Sequence, residues 1–493
     1  VPLFVNYVLE RKHTSGTESS GGVCVNKRKG NVKNSISVHI FLGDSLVTND
    51  TGVEHHPQNI PDEIGYDRIR DAFRSKSEIA YQGAVQRLDN KRTHLKQNPK
   101  PADNAAVPEF KRMPPAVWIG PSALTNPCPV TDMEQLSNRL SKVFSDYPEL
   151  FNHCVKVYQK RVDYYRLTSE GQKILQPDTA FHITARASIK TDGNEVKTEY
   201  YRLHVGGIND LPSEDALIGE LHQFAQYMRQ KSRAKAVEDL YIGPVLYEDD
   251  AAMELLARKI ADHSHSYWIS IRNQSDRKHR YLGKQVFPPA LSVCQLGSDS
   301  VYNGVKLLGY RQVDADGTKP MTLPIIEKGI LKHMLTGRTP SLGCPASTGN
   351  EHFDGLSRSL ETRYIAGVFH VTSNRPVPYS KLYKRFLKAA KKAGLEHTYI
   401  IRKNRTSPYA LIRVDLSTGK EELVEGNYNA PSREQFKRMH AISKEENVYN
   451  LDPAGGKGLG IISPKAILLE DMELDITPSR ARHIDEAFYE LRH

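Results

Sequence analysis

The stretch RVDYYRLTSEGQKILQPDTAFHITARASIKTDGNEVKTEYYRLHV, residues 161–205, limits the possible folds more than any other part of the chain. Runs rich in Val, Ile, Thr, Tyr and Phe are interrupted by Ser169-Glu170-Gly171 and Asp192-Gly193-Asn194. Both interruptions carry turn chemistry, so the chain reverses twice and each run pairs with the next. A meander of antiparallel strands across 152–206 is predicted.

Around it the pattern alternates between strand and helix periods. Residues 3–9, 22–28 and 35–48 read as strands, and SISVHIFLGD alternates strongly enough to be half-buried. Residues 61–97 start at a proline and place Ile69, Ala72, Phe73, Ile79, Ala80, Ala84 and Leu88 at helical spacing. They predict one long amphipathic helix or a pair. Thr131-x-x-Glu134 has the form of a capping box ahead of Leu136, Leu140 and Phe144. A further helix is expected near 212–233, and another over 379–394 with Leu382, Phe386 and Ala389 inward. The second half is otherwise strands, broken by glycine-rich segments at 339–359 and 449–464 that read as mobile surface.

This pattern predicts an α+β protein. An N-terminal α/β part with antiparallel strands and long helices spans 1–235, and a mostly antiparallel β part with a few helices spans 236–493. At 493 residues two domains are the natural expectation. No apolar run approaches the ~18 residues of a membrane span. The net charge of +10 is spread along the chain, with KRTHLK, KRFLKAAKKAG and RKNR as its densest pieces. Such runs are more often solvated faces than nucleic-acid sites, so nucleic acid stays a secondary expectation. Cys24, Cys128, Cys154, Cys294 and Cys344 are dispersed and odd in number. That argues against a disulfide framework or a zinc ribbon and leans toward the cytoplasm. The start VPLFV lacks a methionine and reads as a processed or trimmed end, which leaves export open.

GPVLYEDDAAMELLARKIADH, residues 243–263, reads as a strand entering a helix. Its opening turn Glu248-Asp249-Asp250 suits a helix N-terminus, Ala252, Leu255, Leu256 and Ile260 form the apolar stripe, and Arg258, Lys259, Asp262 and His263 form the expected exposed face.

This entry, followed by GYRQVDADGTKPMTLPIIEKGILKHMLTGRTP and the closing SPKAILLED, resembles the TldD/PmbA family, also known as proposed DNA gyrase modulators. The ordered motifs cover 241–476, with weaker echoes in AYQGAVQRL and YRLTSEG. Metal-bearing members of that family are peptidases with HExxxH on this helix and a cysteine near the C-terminus. Zinc needs imidazoles with a thiolate or carboxylate, and a Glu to take a proton from the bound water. Here Ala257 stands at the first His, Arg258 at the Glu and Asp262 at the second His, while Gly455-Gly456-Lys457 stands where those members have Cys-Gly-Lys. The resemblance therefore implies the metal-less PmbA/TldE branch. Such a chain has no catalytic residue or cofactor of its own. It forms a homodimer, or a heterodimer with a metal-bearing TldD-type homologue, and accepts peptide.

Other signals are weaker. His263 and His265 form an H-x-H beside Asp262 but lack a third ligand of fixed spacing, and His55-His56 lie in a loop. GGKGLG has Leu451 and Gly458 where a phosphate loop needs Gly and Ser or Thr. Pro345 replaces the first glycine of a nucleophile elbow around Ser347. The glycine-rich loops around Gly343, Ser347, Gly349, Gly455 and Gly456 are candidates for peptide capture by strand addition, with deletion of 345–354 expected to spare stability. A stand-alone binding or regulatory protein, and a peptidase using groups outside the family pattern, are the alternatives.

Overall fold

The computed structural model describes residues 1–49, 58–60, 65–100, 107–264, 281–297, 299–338, 343–351, 367–407, 409–452 and 458–476. The fold is α+β. In the first half the strands are β1 (Phe4–Ser20), β2 (Val23–Arg28), β3 (Lys33–Phe41), β4 (Gln58–Ile60), β5 (Val117–Ile119), β6 (Phe151–Thr168), β7 (Lys173–Lys190) and β8 (Val196–Val205). The expected meander is β6, β7 and β8, paired from Leu167↔Lys173 and from Lys190↔Val196. Strand β1 is much longer than its apolar part because β6 offers it a full-length partner, from Asn6↔Thr168 to Ser19↔Val155. Gly16 permits this, since a Cβ there would lie 2.4 Å from Tyr158 Cβ. The polar end of β1 is buried through small side chains: Thr17 and Ser19 hydroxyls meet Ser137 at 3.0 and 2.7 Å.

Ser137 belongs to α2 (Val130–Ser141), which with α3 (Glu214–Ser232) covers one face of this sheet through Leu136, Leu140, Leu221 and Phe224. The expected capping box at α2 is absent: Pro129 is the N-cap, Thr131 bonds Asp132, and Glu134 is drawn to Lys27. Proline's fixed φ pre-sets the helix entry without a side-chain cap. Residues 66–97 form a single helix, α1 (Tyr66–Gln97), held on β3 by Ala80, Ala84 and Leu88, while Ile79 points outward.

The second half builds two further sheets. One orders β21 (Met439–Ile442), β24 (Ala466–Ile476), β10 (Asp239–Asp249), β17 (His397–Lys403), β19 (Ala410–Asp415), β20 (Glu421–Glu425) and β9 (Lys235–Ala236). The other orders β15 (Ile330–Leu331), β14 (Leu323–Glu327), β11 (Leu291–Gln295), β16 (Gly367–Ser373), β23 (Leu459–Pro464) and β22 (Glu446–Leu451). Strands β12 (Val301–Tyr302) and β13 (Val305–Lys306) form a small hairpin. Within these sheets β10/β17, β20/β9 and β16/β23 run parallel and the rest antiparallel. Helix α4 (Asp250–Ser264) shares one core with strands of both sheets, including Val245, Tyr399, Val293 and Ile461. Helix α5 (Tyr379–Lys392) packs on the opposite face of the β10 sheet through Leu382 and Phe386, with Ala390 buried where Ala389 was expected. A short helix, α6 (Arg433–Lys437), carries a complete capping box between Ser432 and Gln435. The two halves are tied by β18 (Thr406–Ser407), which leaves the second half to pair with β8 at Thr406↔Tyr201.

Candidate functional site

Strand β10 turns into α4 at Asp249, whose φ of 54° is the left-handed step a strand needs to start a helix so abruptly. Glu248 lies within the strand rather than opening the helix. It is buried and accepts from Arg402 Nε at 2.6 Å and from the Tyr379 hydroxyl. Asp250 accepts the Arg405 amide at 2.8 Å, and burial pushes its pKa up to about 6.

Of the expected exposed face of α4, the two residues whose side chains are described, Arg258 and Lys259, are not exposed. Ala251 through Ala257, Ile260 and Ala261 are buried, and so is Lys259, which donates to the Pro431 carbonyl at 2.7 Å. One turn earlier, buried Glu254 accepts from the Tyr449 hydroxyl at 2.8 Å and pairs with Lys403. Charged residues are tolerated in this core because each has a partner supplied by another strand or loop. Arg258 is half-buried beside Tyr247 and Tyr428, phenols whose pKa values burial drives far above the ordinary range. Ala257 has no exposed surface at all.

The candidate loops fare differently. Gly343 is exposed with φ 80°, but Thr348 and Gly349 are buried. The strand-like edge there is already used: Thr348 N donates to Thr336 O at 3.0 Å, and Thr336 N to Thr348 Oγ1 at 2.8 Å. Ser347 accepts from Gly349 N at 3.2 Å, and a Cβ on Gly349 would meet Lys319 O at 2.5 Å. Residues 347–350 are thus a packed turn, and a deletion that includes them would remove these contacts. His265, Gly455, Gly456, His55 and His56, with the side chains of Asp262 and His263, lie outside the described residues.

Two buried ionic centres join residues of the two halves. In the first, Asp316 Oδ1 accepts from Arg166 at 3.0 Å and from Arg338 at 2.9 and 2.6 Å. Arg338 also pairs with Glu170 at 3.2 Å and lies 3.9 Å from the Phe4 ring centroid. Nearby Asp314 accepts backbone N–H groups of Asp316, Thr318 and Glu351, while burial and the Asp316 charge push its pKa up to about 8. The sequence signal was present: Arg166 and Glu170 stand in YRLTSEG, the aspartates in DADG, Arg338 in GRT. In the second centre, Asp452 at the end of β22 enters the first sheet. Lys160 donates to it at 2.6 Å and His182 Nε2 lies 3.1 Å away. His182 Nδ1 in turn meets His204 Nδ1 at 2.7 Å.

Residues 242–370, which carry the β10–α4 entry and the DADG and GRT motifs, match the model of the PmbA/TldA metallopeptidase C-terminal domain. About a quarter of the chain thus resembles the C-terminal domain of the TldD/PmbA family. Solved structures with the same overall fold include a proposed modulator of a DNA gyrase from Thermotoga maritima, with a TM-score of 0.59, 13% identity and 96% of both chains covered. TldE from Thermococcus kodakarensis has a TM-score of 0.58 at 10% identity, again with 96% of both chains covered. A proposed DNA gyrase modulator from Bacteroides thetaiotaomicron has a TM-score of 0.59 at 13% identity, covering 97% of this chain and 95% of its own. None of the curated proteins matches.

The described residues of α4 do not fit the metal of a TldD/PmbA peptidase. At the positions the resemblance assigns to the first ligand and the base, fully buried Ala257 offers no donor atom and Arg258 brings a cation where a metal-bound water would need a base. The phenols beside it stay protonated and so are poor ligands. Among the described residues no group of three His, Cys, Asp or Glu stands at metal-binding spacing. No helix among them is long and apolar enough to cross a membrane.

Proposed function

We propose that this chain is a metal-less, PmbA/TldE-like subunit of a TldD/PmbA-type peptidase system that handles unfolded or small peptides. It acts as scaffold and peptide-accepting partner, in a homodimer or with a metal-bearing TldD-type homologue. The observation that carries the reading is the buried α4 helix with Ala257 and Arg258 at the ligand and base positions. The scaffold is kept while the chemistry is missing. A division near residue 235 belongs to the same reading, supported by a first sheet drawn wholly from residues 4–205 except for β18. All five cysteines are free thiols, which supports a reducing, cytoplasmic setting.

The test is elemental analysis of the purified chain beside digestion of denatured casein, alone and mixed with a metal-bearing homologue, with and without chelator. The expected result is no bound zinc and no cleavage alone, with chelator-sensitive cleavage in the mixture. About one zinc per chain with chelator-sensitive cleavage by the chain alone would overturn the reading.

One observation favours the second reading, a binding protein for nucleic acid. The outer face of α5 exposes Lys384, Arg385, Lys388, Lys391 and Lys392 together. That reading requires DNA affinity that falls steeply as salt rises. Affinity confined to low salt, with no slope change on replacing these residues by Gln, would leave the face as a solvated surface.

A further inference from the structure

A cleft of about 810 Å³ lies between α3 and the hairpin of β19 and β20, within the ~300–1,000 Å³ usual for ligand pockets. It opens on the face of the β10 sheet away from α4. Ile412 in its wall packs with the α5 cluster, whereas its neighbour Leu411 faces the α4 core. The cleft is therefore separate from the helix that carries the family's metal position.

Its floor is apolar: Tyr227 from α3 with Ile412 and Leu423 from the hairpin, backed by buried Phe224. Its acids are already engaged. Glu220 pairs with Arg405, Glu421 with Arg402 and the Tyr383 hydroxyl, and Glu422 with Arg413. Arg229 is likewise held by Glu149. Arg233 and Lys420, exposed and facing the cleft from opposite walls, make no ion pair among the described residues. The uncompensated charge is therefore positive and sits above a flat apolar floor. A ligand that matches has an apolar body and a carboxylate.

We propose that this cleft binds the carboxyl-terminal end of a peptide, its free carboxylate against Arg233 and Lys420 and its last, large apolar side chain on Tyr227, Ile412 and Leu423. The choice of peptide over another amphiphilic anion rests on the proposed function. The site would let the subunit hold a peptide by its end, a mode indifferent to internal sequence.

The test is fluorescence anisotropy on the intact chain with a labelled peptide ending in Phe, as the free acid and as the amide. The acid is expected to bind at least about tenfold more tightly, since amidation removes a charge-assisted contact. The double variant R233E/K420E should erase that difference. Gln230→Trp, at an exposed α3 position lining the mouth, should block the acid with no change in melting temperature. Equal affinity for acid and amide, or binding untouched by Gln230→Trp, would overturn the proposal. Displacement by decanoate more readily than by unlabelled peptide would also overturn it, assigning the cleft to a fatty anion. Because binding is read on the chain alone, failure of the mixed casein digestion with acid-dependent binding intact would sink the subunit reading and leave this site standing.

Discussion

Arg338 is a buried cation held by partners from several elements. Its guanidinium chelates Asp316, reaches Glu170 and stacks on Phe4, so it joins residues from both halves of the chain. Replacing it with Ala leaves Asp316 buried with only Arg166 as counter-charge, and an expected loss of about 3–5 kcal/mol in urea unfolding. R338K should recover only part, because an ammonium cannot make the two-pronged contact. Ala257 sets the opposite kind of limit. A257H puts an imidazole at a fully buried position, and should lower stability by about 1–3 kcal/mol without conferring zinc binding. Zinc retained through gel filtration by A257H would contradict the misfit argued for α4. Residue identity alone did not reveal either case. Lys259 and Glu254 look like surface residues in the sequence, and only Pro431, Lys403 and Tyr449, all distant in the chain, make their burial possible.

Helices α1 and α4 are both amphipathic in sequence yet have opposite fates. Helix α4 is enclosed by two sheets, whereas α1 docks one stripe on β3 and leaves Ile79, Tyr81 and Val85 exposed. Local stability follows the number of buried contacts an element makes. In native-state hydrogen exchange, α4 amides should open only with global unfolding and α1 amides well before. Equal protection of the two would mean that α1 is covered by something further. Most element boundaries were legible, since β6 to β8, α3 and α5 lie close to where turns and periodicity put them. The α2 cap was missed because two residues of a capping box are not enough when a proline already sets the helix entry and the Glu has a better partner.

At the scale of the whole molecule, the two halves are joined by β18 and by Asp452 in its basic socket. Burial, and then His182, push the His204 pKa down to about 3, against an ordinary 6.5. A depressed histidine stays neutral when folded while the unfolded chain takes up a proton. Its contribution is complete above about pH 6.5 and is lost progressively toward pH 3, with a slope of up to about 1.4 kcal/mol per pH unit. Urea titrations from pH 7.5 to 4 should show this decline, and His204→Gln should flatten it. An unchanged slope in that variant would place the acid sensitivity elsewhere. Asp452→Asn should cost about 3–5 kcal/mol at neutral pH by stranding the buried Lys160 charge.

The α+β class, the meander, the long helices and the entry into α4 follow from the sequence by itself, because turn residues and hydrophobic period act within a few residues of where they are written. The resemblance carried by the ordered motifs was legible for the same reason. What α4 packs against, the meeting of Arg166, Asp316 and Arg338, the seating of Asp452 on Lys160 and the cleft beside α3 were decided only in three dimensions. A polar side chain's local pattern records that it is polar. Whether it is solvated or buried depends on a partner that distant segments bring to it, and that partner has no fixed spacing along the chain.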